Sequence, residues 1–151
     1  MNNEIFLKIL KEFLAKMGYG EDLIINQKES EDEKIFEIEV PEAKYLIGEK
    51  GSNLTSLEFL VKMICQKQNI DTRKIFIDIN NYRKERIKLL KETARLAAQK
   101  AVLTKEAVVL PPMSAFDRKV IHTELTINPN IKTESEGFAE ERRVIVKPNF
   151  L

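Results

Sequence analysis

Near the start of the chain, apolar residues recur at intervals of three and four positions, separated by lysines and glutamates. They are Phe6, Leu10, Phe13, Leu14 and Met17. Because an α-helix has about 3.6 residues per turn, this spacing places them on one side of a helix. The pattern predicts an amphipathic helix over residues 4–17 that ends near Gly18 and Gly20.

Farther along the chain, apolar positions alternate with polar ones. Residues 36–40 alternate between apolar side chains and glutamates, after a short apolar run at residues 23–26 and a polar segment at residues 28–34. A period of two is typical of a strand with one buried face, so these segments predict a β-hairpin. Residues 75–79 alternate in the same way and predict a third strand.

Two glycines separate the next two apolar segments. Residues 43–47 form a short apolar run, Gly48 and Gly51 follow it, and helical spacing then begins. The apolar positions of this second segment are Leu54, Leu57, Leu60, Val61 and Ile64. We expect a tight loop between two helices. The predicted order is helix, strand, strand, helix, helix, strand, which is one α+β module over residues 1–80.

A long helix is predicted to open the second half of the chain, from Tyr82 to about Thr104. Its apolar stripe consists of Ile87, Leu90, Ala94, Ala97 and Ala101. At about 100° per residue, four basic residues fall on a separate stripe of this helix. They are Lys84, Lys88, Lys91 and Arg95. This basic stripe is equally typical of a solvated helix face and of a face that follows phosphates.

The rest of the chain predicts one more helix and two strands. Ser114 offers an N-cap, with Asp117 three residues later, for the helix that follows. Residues 131–136 and 143–147 are predicted strands joined by a polar turn. Together with the long helix, these elements predict a second small α+β module over residues 81–151.

The composition of the 151 residues restricts the class of protein. With 43% hydrophobic and 32% charged residues and no long apolar run, we expect a cytoplasmic globular protein without a membrane-inserted segment. One cysteine, Cys65, and one histidine, His122, cannot form a disulfide or a Cys/His metal cluster, so no metal or other cofactor is expected. We interpret Cys65 as a buried structural thiol and predict no catalytic residue.

The net charge of +1 hides an uneven distribution. Residues 1–80 contain 11 basic and 15 acidic side chains, whereas residues 81–151 contain 14 basic and 9 acidic ones. A basic second half suits a chain that binds a polyanion through part of its surface.

The glycine loop, Gly48–Gly51, and the helix start after it contain the residue types that bind a phosphate backbone. Glycines let the main chain approach a phosphate, a lysine adds a cation, and the N–H groups at a helix start favour an anion. The candidate nucleic-acid-binding residues of this segment are Gly48, Lys50, Gly51, Ser52 and Asn53. An isolated G-x-x-G favours a plain corner between helices, but the hairpin before it and the strand after it favour phosphate binding.

Arg118 and His122 lie four residues apart on one predicted helix. A permanent guanidinium and an imidazole that titrates near neutral pH therefore share a helix face and are able to approach neighbouring phosphates. Arg142 and Arg143 add positive charge at the start of the last predicted strand. The alternative interpretation is an exposed helix face whose histidine is satisfied within the protein.

Both modules resemble known nucleic-acid-binding domains. The segment I-G-E-K-G-S-N-L at residues 47–54, in its αββααβ setting, is similar to the core of a KH domain in the helix-first, type II order. KH loops of this kind clamp about four backbone nucleotides of a single strand. Glu49 stands where such loops are commonly basic. The pair Arg118 and His122, with residues 133–137 and 142–146 after it, resembles the R-x-x-x-H (Arg-3-His) single-stranded nucleic-acid-binding domain.

A KH domain followed directly by an R-x-x-x-H domain resembles the Jag family, also called the KhpB or SpoIIIJ-associated protein family. The resemblance implies a bacterial RNA-binding protein and RNA chaperone that acts in cell shape and cell wall homeostasis. It also implies single-stranded RNA and a small KH-only protein, KhpA, as partners. Members usually carry an additional N-terminal Jag-N domain and linker, which we expect this chain to lack. A protein-interaction adaptor that docks a partner on the KH-like fold is the alternative, and a nuclease is a third possibility.

Overall fold

The computed structural model describes residues 1–20 and 22–150, which form two compact units. The first unit ends at Arg83 and the second begins at Lys84. Both units are mixed α+β, as expected from the alternating periods of the sequence. No helix in the described residues has the length and hydrophobicity needed to cross a membrane.

The first unit has the predicted αββααβ order. Its elements are α1 (Asn2–Lys16), β1 (Ile24–Glu29), β2 (Lys34–Glu39), α2 (Lys44–Ile47), α3 (Ser52–Lys67) and β3 (Ile75–Ile79). A short 3-10 turn, Glu49–Gly51, joins α2 to α3. β1 pairs antiparallel with β2, and β2 pairs parallel with β3, with Phe36 opposite Ile77. The parallel pair requires a crossover connection, which α2 and α3 supply.

The core of the first unit lies between this sheet and helices α1 and α3. The rings of Phe6 and Phe36 stack with centroids 4.9 Å apart, and both side chains are fully buried. From α3 the buried residues are Leu54, Leu57, Val61 and Cys65. Cys65 is therefore buried as predicted, and burial raises the pKa of its thiol, which keeps it protonated.

Two of the apolar positions of α3, Leu60 and Ile64, lie outside its buried stripe. Both side chains are exposed, by 44% and 37%, because the buried stripe of α3 runs through Val61 and Cys65 instead. Each of the two exposed residues precedes a buried one by a single position, which rotates it by about 100° around the helix. Phe59 and Met63 are exposed on α3 as well.

The second unit packs two helices on a three-stranded antiparallel sheet. Its elements are α4 (Tyr82–Thr104), which begins just before the unit boundary, β4 (Val108–Val109), α5 (Ala115–Leu125), β5 (Ile131–Glu136) and β6 (Arg143–Pro148). The strand order is β4-β6-β5. The core residues are Leu90, Ala94, Ala97, Ala98, Ala101, Leu110, Ile121, Leu125, Ile131, Val144 and Val146. The two-residue β4 and a 3-10 turn at Ala139–Glu141 carry no periodic signal and were not predicted.

Helix α5 begins at the predicted cap. The Ser114 side chain accepts a hydrogen bond from the backbone N–H of Asp117 at 3.2 Å. The Asp117 carboxylate is buried and lies 2.7 Å from Nη2 of Arg86 on α4. The cap and this ion pair fix the start of α5, and with it the orientation of Arg118 and His122.

Candidate functional site

The glycine loop of the first unit reverses the chain through three unusual backbone conformations. Gly48 has φ +75°, Lys50 has φ +52° and Gly51 has φ +77°, after which α3 begins. Positive φ carries little steric cost for glycine but is unfavourable for lysine. Lys50 is exposed in this conformation.

The structure shows an internal reason for both glycines. A Cβ on Gly48 would lie 2.6 Å from Cγ of Asn53, and a Cβ on Gly51 would lie 2.7 Å from Cε1 of Tyr82. Asn53 is held there because its Nδ2 donates a 2.6 Å hydrogen bond to the carbonyl of Tyr45. The two glycines therefore let the loop pack closely against Asn53 and Tyr82, whatever it binds.

The start of α3 next to the glycine loop is open to an anion. No side chain in the described residues caps this helix start, and Ser52 and Asn53 are exposed there. The first N–H groups of a helix carry a partial positive charge, which Lys50 supplements. Glu49 is exposed in the same turn and brings a charge of the opposite sign.

In the second unit, both ring nitrogens of His122 are engaged by hydroxyl groups of β5. Nδ1 lies 2.7 Å from Oγ1 of Thr133, and Nε2 lies 2.8 Å from Oγ of Ser135. A hydroxyl both donates and accepts, so this pair satisfies the imidazole in either tautomer. His122 therefore holds α5 against one face of β5 and fixes the two hydroxyl groups.

The protonation of His122 is shifted by its surroundings. Burial lowers the pKa of the imidazole from its ordinary value of 6.5, and the positive charge of Arg118 lowers it further. The ring is consequently neutral at pH 7. The permanent positive charge of this site comes from its arginines.

A chain of hydrogen bonds connects Arg118 with Arg142. Nε of Arg118 donates to the carbonyl of Met113 at 3.3 Å, and the backbone N–H of Met113 donates to the carbonyl of Arg142 at 3.1 Å. The Arg142 side chain turns back and donates from Nη1 to the carbonyl of Gly137 at 3.2 Å. These bonds bring Arg118 and Arg142, which are far apart in sequence, to one end of the sheet.

Arg143 lies at the same end of the sheet, at the start of β6. Its Nε donates to the carbonyl of Glu141 at 3.3 Å, and its Nη2 lies 3.4 Å from the carboxylate of that residue. The exposed carboxylate of Glu141 weakens the positive charge that Arg143 presents to solvent. We define the arginine site as Arg118, Arg142 and Arg143.

Thr133 and Ser135 were not among the residues predicted for the site. The signal was present, because residues two apart in a strand lie on the same face and β5 was predicted over both of them. Which face would meet α5 depends on the pairing of β5 with β6, where Thr133 lies opposite Val146 and Ser135 opposite Val144. The sequence of β5 alone does not determine this pairing, so the structure was needed to show which face meets α5.

The basic stripe of α4 lies on an exposed helix face. The side chains of Lys84, Lys88, Lys91 and Arg95 are exposed on α4, and Arg95 is paired with Glu124 at 2.8 Å. Within residues 1–20 and 22–150, no cluster of three or more histidine, cysteine or acidic side chains has the arrangement of a metal site. A role of the basic stripe in phosphate binding stays a prediction.

Comparison with known proteins identifies the class of the second unit. Residues 88–148 match the family of the R-x-x-x-H (Arg-3-His) domain, and the match includes α5, β5, β6 and most of α4. It contains His122 and all three residues of the arginine site.

Whole-chain comparisons extend the relationship to the first unit. The chain is 31% identical over 145 residues to the RNA-binding protein KhpB of Bacillus subtilis, covering 95% of this chain and 67% of the relative. It is 30% identical over 140 residues to that of Clostridium symbiosum, covering 93% of this chain and 63% of the relative. The protein of Lactiplantibacillus plantarum is 34% identical over 101 residues, 67% of this chain and 31% of the relative.

The chain belongs to the KhpB family, which confirms the resemblance noted in the sequence. It spans about two thirds of the length of the Bacillus and Clostridium relatives and about a third of the length of the Lactiplantibacillus one.

Proposed function

We propose that this protein binds single-stranded or looped RNA through two sites, the glycine loop of the first unit and the arginine site of the second. The observation that carries the proposal is the hydrogen-bonded arrangement of Arg118 and Arg142, beside a histidine that is anchored on both ring nitrogens. The names of the relatives, which are RNA-binding proteins, support the same class of ligand.

At the glycine loop, the main chain is the principal binding group. The backbone N–H of Ser52 already donates to the carbonyl of Glu49 within the 3-10 turn. A phosphate therefore accepts hydrogen bonds from the N–H groups that follow it in the first turn of α3, beginning at Asn53, while Lys50 adds a mobile cation. Gly48 and Gly51 act by closing the loop against Asn53 and Tyr82, which presents the helix start to solvent. A flexible lysine and fixed N–H groups suit binding to the phosphate backbone of RNA without recognition of its base sequence.

At the arginine site, guanidinium groups bind phosphates and the histidine positions its neighbours. Arg118, Arg142 and Arg143 stay charged at every physiological pH and present several donors each. Because His122 uses both nitrogens inside the protein, its role is to hold the hydroxyl groups of Thr133 and Ser135 in place. The hydroxyl group that accepts from the imidazole N–H keeps its proton to donate to a phosphate, whereas the other donates to the ring and is left as an acceptor, for example for a ribose hydroxyl.

The family resemblance adds proposals about the biological setting. We propose that RNA binding serves an RNA chaperone in the bacterial cytoplasm, that the small KH-only protein KhpA is a partner of the first unit, and that the pathway affects cell shape and cell wall homeostasis. No catalytic step is part of the proposal. These roles rest on the resemblance, and the two binding sites rest on the contacts described above.

A second candidate function is a protein-interaction adaptor. The observation that favours it is the exposed apolar surface of α3, formed by Phe59, Leu60, Met63 and Ile64. Apolar side chains gathered on one helix face are typical of a surface that another protein covers. Such an adaptor has no need of a phosphate-binding loop.

Titration of a labelled single-stranded oligouridine with the purified chain, followed by fluorescence anisotropy, distinguishes the two functions. RNA binding predicts a complex that weakens steadily as salt is raised, and weaker binding to a duplex of the same length. The absence of any complex at micromolar protein and low salt would favour the adaptor. Cleavage of the oligonucleotide that requires magnesium would instead indicate a nuclease.

A further inference from the structure

The turn between β5 and β6 carries an exposed aromatic side chain that the fold does not use. Phe138 is 87% exposed, although a phenyl ring is among the side chains that favour burial most strongly. It follows Gly137 and precedes the 3-10 turn Ala139–Glu141. Packing within the second unit gives no reason for phenylalanine at this position.

The turn that carries Phe138 is closed by its own hydrogen bonds. The backbone N–H of Glu141 donates to the carbonyl of Phe138 at 3.1 Å, and that of Arg142 donates to the carbonyl of Ala139 at 3.2 Å. Gly137 has φ +97°, and a Cβ there would lie 2.8 Å from the carbonyl oxygen of Glu141. Phe138 is consequently presented to solvent by a well-defined backbone.

The same turn is attached directly to the arginine site. The Arg142 side chain donates to the carbonyl of Gly137, the residue before Phe138, and the Arg142 carbonyl accepts from Met113, which in turn binds Arg118. Three hydrogen bonds thus connect the guanidinium of Arg118 to the turn of Phe138. The residue that carries the exposed ring directly follows Gly137, whose carbonyl binds the guanidinium of Arg142.

An aromatic face beside a positively charged groove is the arrangement by which proteins hold unpaired bases. The charges bind the phosphates, and the ring stacks on a base without reading its identity. We propose that Phe138 is a stacking platform for an unpaired base of an RNA strand whose phosphates contact Arg118 and Arg142. This inference rests on the proposed function. It adds a residue that contacts a base, whereas the proposed function names contacts with the phosphates and the ribose. Because a phenyl ring has no hydrogen-bonding group, the platform accepts any base.

The absence of tryptophan from the chain allows a direct spectroscopic test. Phe138→Trp introduces a single indole at the proposed platform. Ile127→Trp is the matched control, because Ile127 is 88% exposed in the same unit but follows the C-terminal end of α5. Met113, which binds Arg142, precedes the N-terminal end of α5. The 11 residues of α5 span about 16 Å, so Ile127 lies at the far end of this helix from the arginine site.

Oligouridine should quench the fluorescence of Phe138→Trp at saturation and leave that of Ile127→Trp unchanged. An abasic strand of the same length has the phosphates without the bases, so it should quench neither variant. Equal quenching of the two variants by oligouridine, or quenching of Phe138→Trp by the abasic strand, would overturn the stacking contact.

Affinity gives a second measurement that separates this inference from the proposed function. Phe138→Leu keeps an apolar side chain but removes the aromatic face, and it should weaken binding of oligouridine by about fivefold or more, with little effect on the abasic strand. If the wild type binds oligouridine no better than Phe138→Leu, the stacking role is overturned, but RNA binding stands. Wild-type protein that binds no oligouridine at low salt would overturn the proposed function and this inference with it.

Discussion

The ring of Tyr82 occupies the space into which a side chain at Gly51 would extend. A Cβ at this glycine would lie 2.7 Å from Cε1 of the tyrosine and 3.4 Å from its hydroxyl oxygen. Gly51 is buried and adopts φ +77°. The glycine loop is therefore shaped by the first residue of α4, about 30 positions away in the sequence.

Gly51→Ala should destabilise the first unit by about 2 kcal/mol or more, because it adds left-handed strain to a close contact with Tyr82. Gly18→Ala is the control: Gly18 has φ +92° and an added Cβ would meet nothing within 4 Å, so this change contributes the strain alone. Urea denaturation measures both free energies of unfolding. In a Tyr82→Ala background the cost of Gly51→Ala should fall to that of Gly18→Ala, and an unchanged cost would refute the contact.

The imidazole of His122 should titrate below its ordinary pKa of 6.5, because burial and Arg118 both disfavour the cation. It is the single histidine of the chain, so its NMR signal is unambiguous. Arg118→Gln removes the neighbouring charge and should raise the pKa, whereas Arg73→Gln in the first unit should leave it unchanged. A wild-type pKa at or above 6.5 would contradict the described setting of the ring.

The same shift sets a pH dependence of stability. The unfolded state binds the proton more readily than the folded state, so the contribution of neutral His122 is fully present above pH 6.5 and is lost as pH falls below that value toward the folded pKa. Unfolding of the second unit should become easier over this range. His122→Gln, which does not titrate, should remove this part of the pH dependence; an equal pH dependence in the variant would assign it to other groups.

Asp117→Ala should destabilise the second unit by about 3 kcal/mol, because the carboxylate is buried and lies 2.7 Å from Arg86. Arg95→Ala removes a second ion pair between the same two helices, the 2.8 Å contact with Glu124. The Arg95 side chain is largely exposed, so this loss should be about 1 kcal/mol or less. Thermal or urea unfolding compares the two variants, and equal losses would refute the difference in burial as the cause.

Glu49→Lys should tighten RNA binding by about two- to fivefold at low salt, since the exposed carboxylate in the glycine loop opposes a phosphate. Glu12→Lys makes the same change of charge on exposed α1 and controls for the overall charge of the first unit. Anisotropy titrations at low and high salt provide the measurement. Equal gains from the two variants would show that only net charge matters and that the loop does not face RNA.

Much of the fold was predictable because each period in the sequence corresponds to one kind of element. The alternation at residues 36–40 and 75–79 predicted strands whose isoleucines are buried, and Ser114 marked the start of α5. The pattern on α3 was less decisive, because Leu60 and Ile64 lie beside the buried stripe and only packing against α1 and the sheet selects Val61 and Cys65.

The candidate site was predictable as a set of residue types but not as a set of contacts. Arg118 and His122 share a helix face by spacing alone. The partners of His122 lie on β5, and those of Gly51 lie on α4, so both depend on how distant segments pack. The spacing of Thr133 and Ser135 placed them on one strand face, but such long-range contacts leave no periodic trace, so the partners of Thr133, Ser135 and Tyr82 are known only from the structure.

If both sites bind RNA phosphates, removing the charge of either site should change the salt dependence of binding. Lys50→Gly removes the cation of the glycine loop and relieves its left-handed backbone; Lys105→Gly makes the same change at another exposed lysine with φ +58° and serves as its control. Arg118→Gln removes the charge of the second site but keeps a side-chain donor.

The slope of log affinity for oligouridine against log salt, measured by fluorescence anisotropy, tests this claim most directly. Lys50→Gly and Arg118→Gln should each flatten the slope by about 0.7, the value of one lost single-strand phosphate contact, and the double variant by about 1.4. Lys105→Gly should keep the wild-type slope. If Lys50→Gly and Arg118→Gln show the same slope as the wild type and Lys105→Gly, binding of RNA phosphates at these two sites is contradicted.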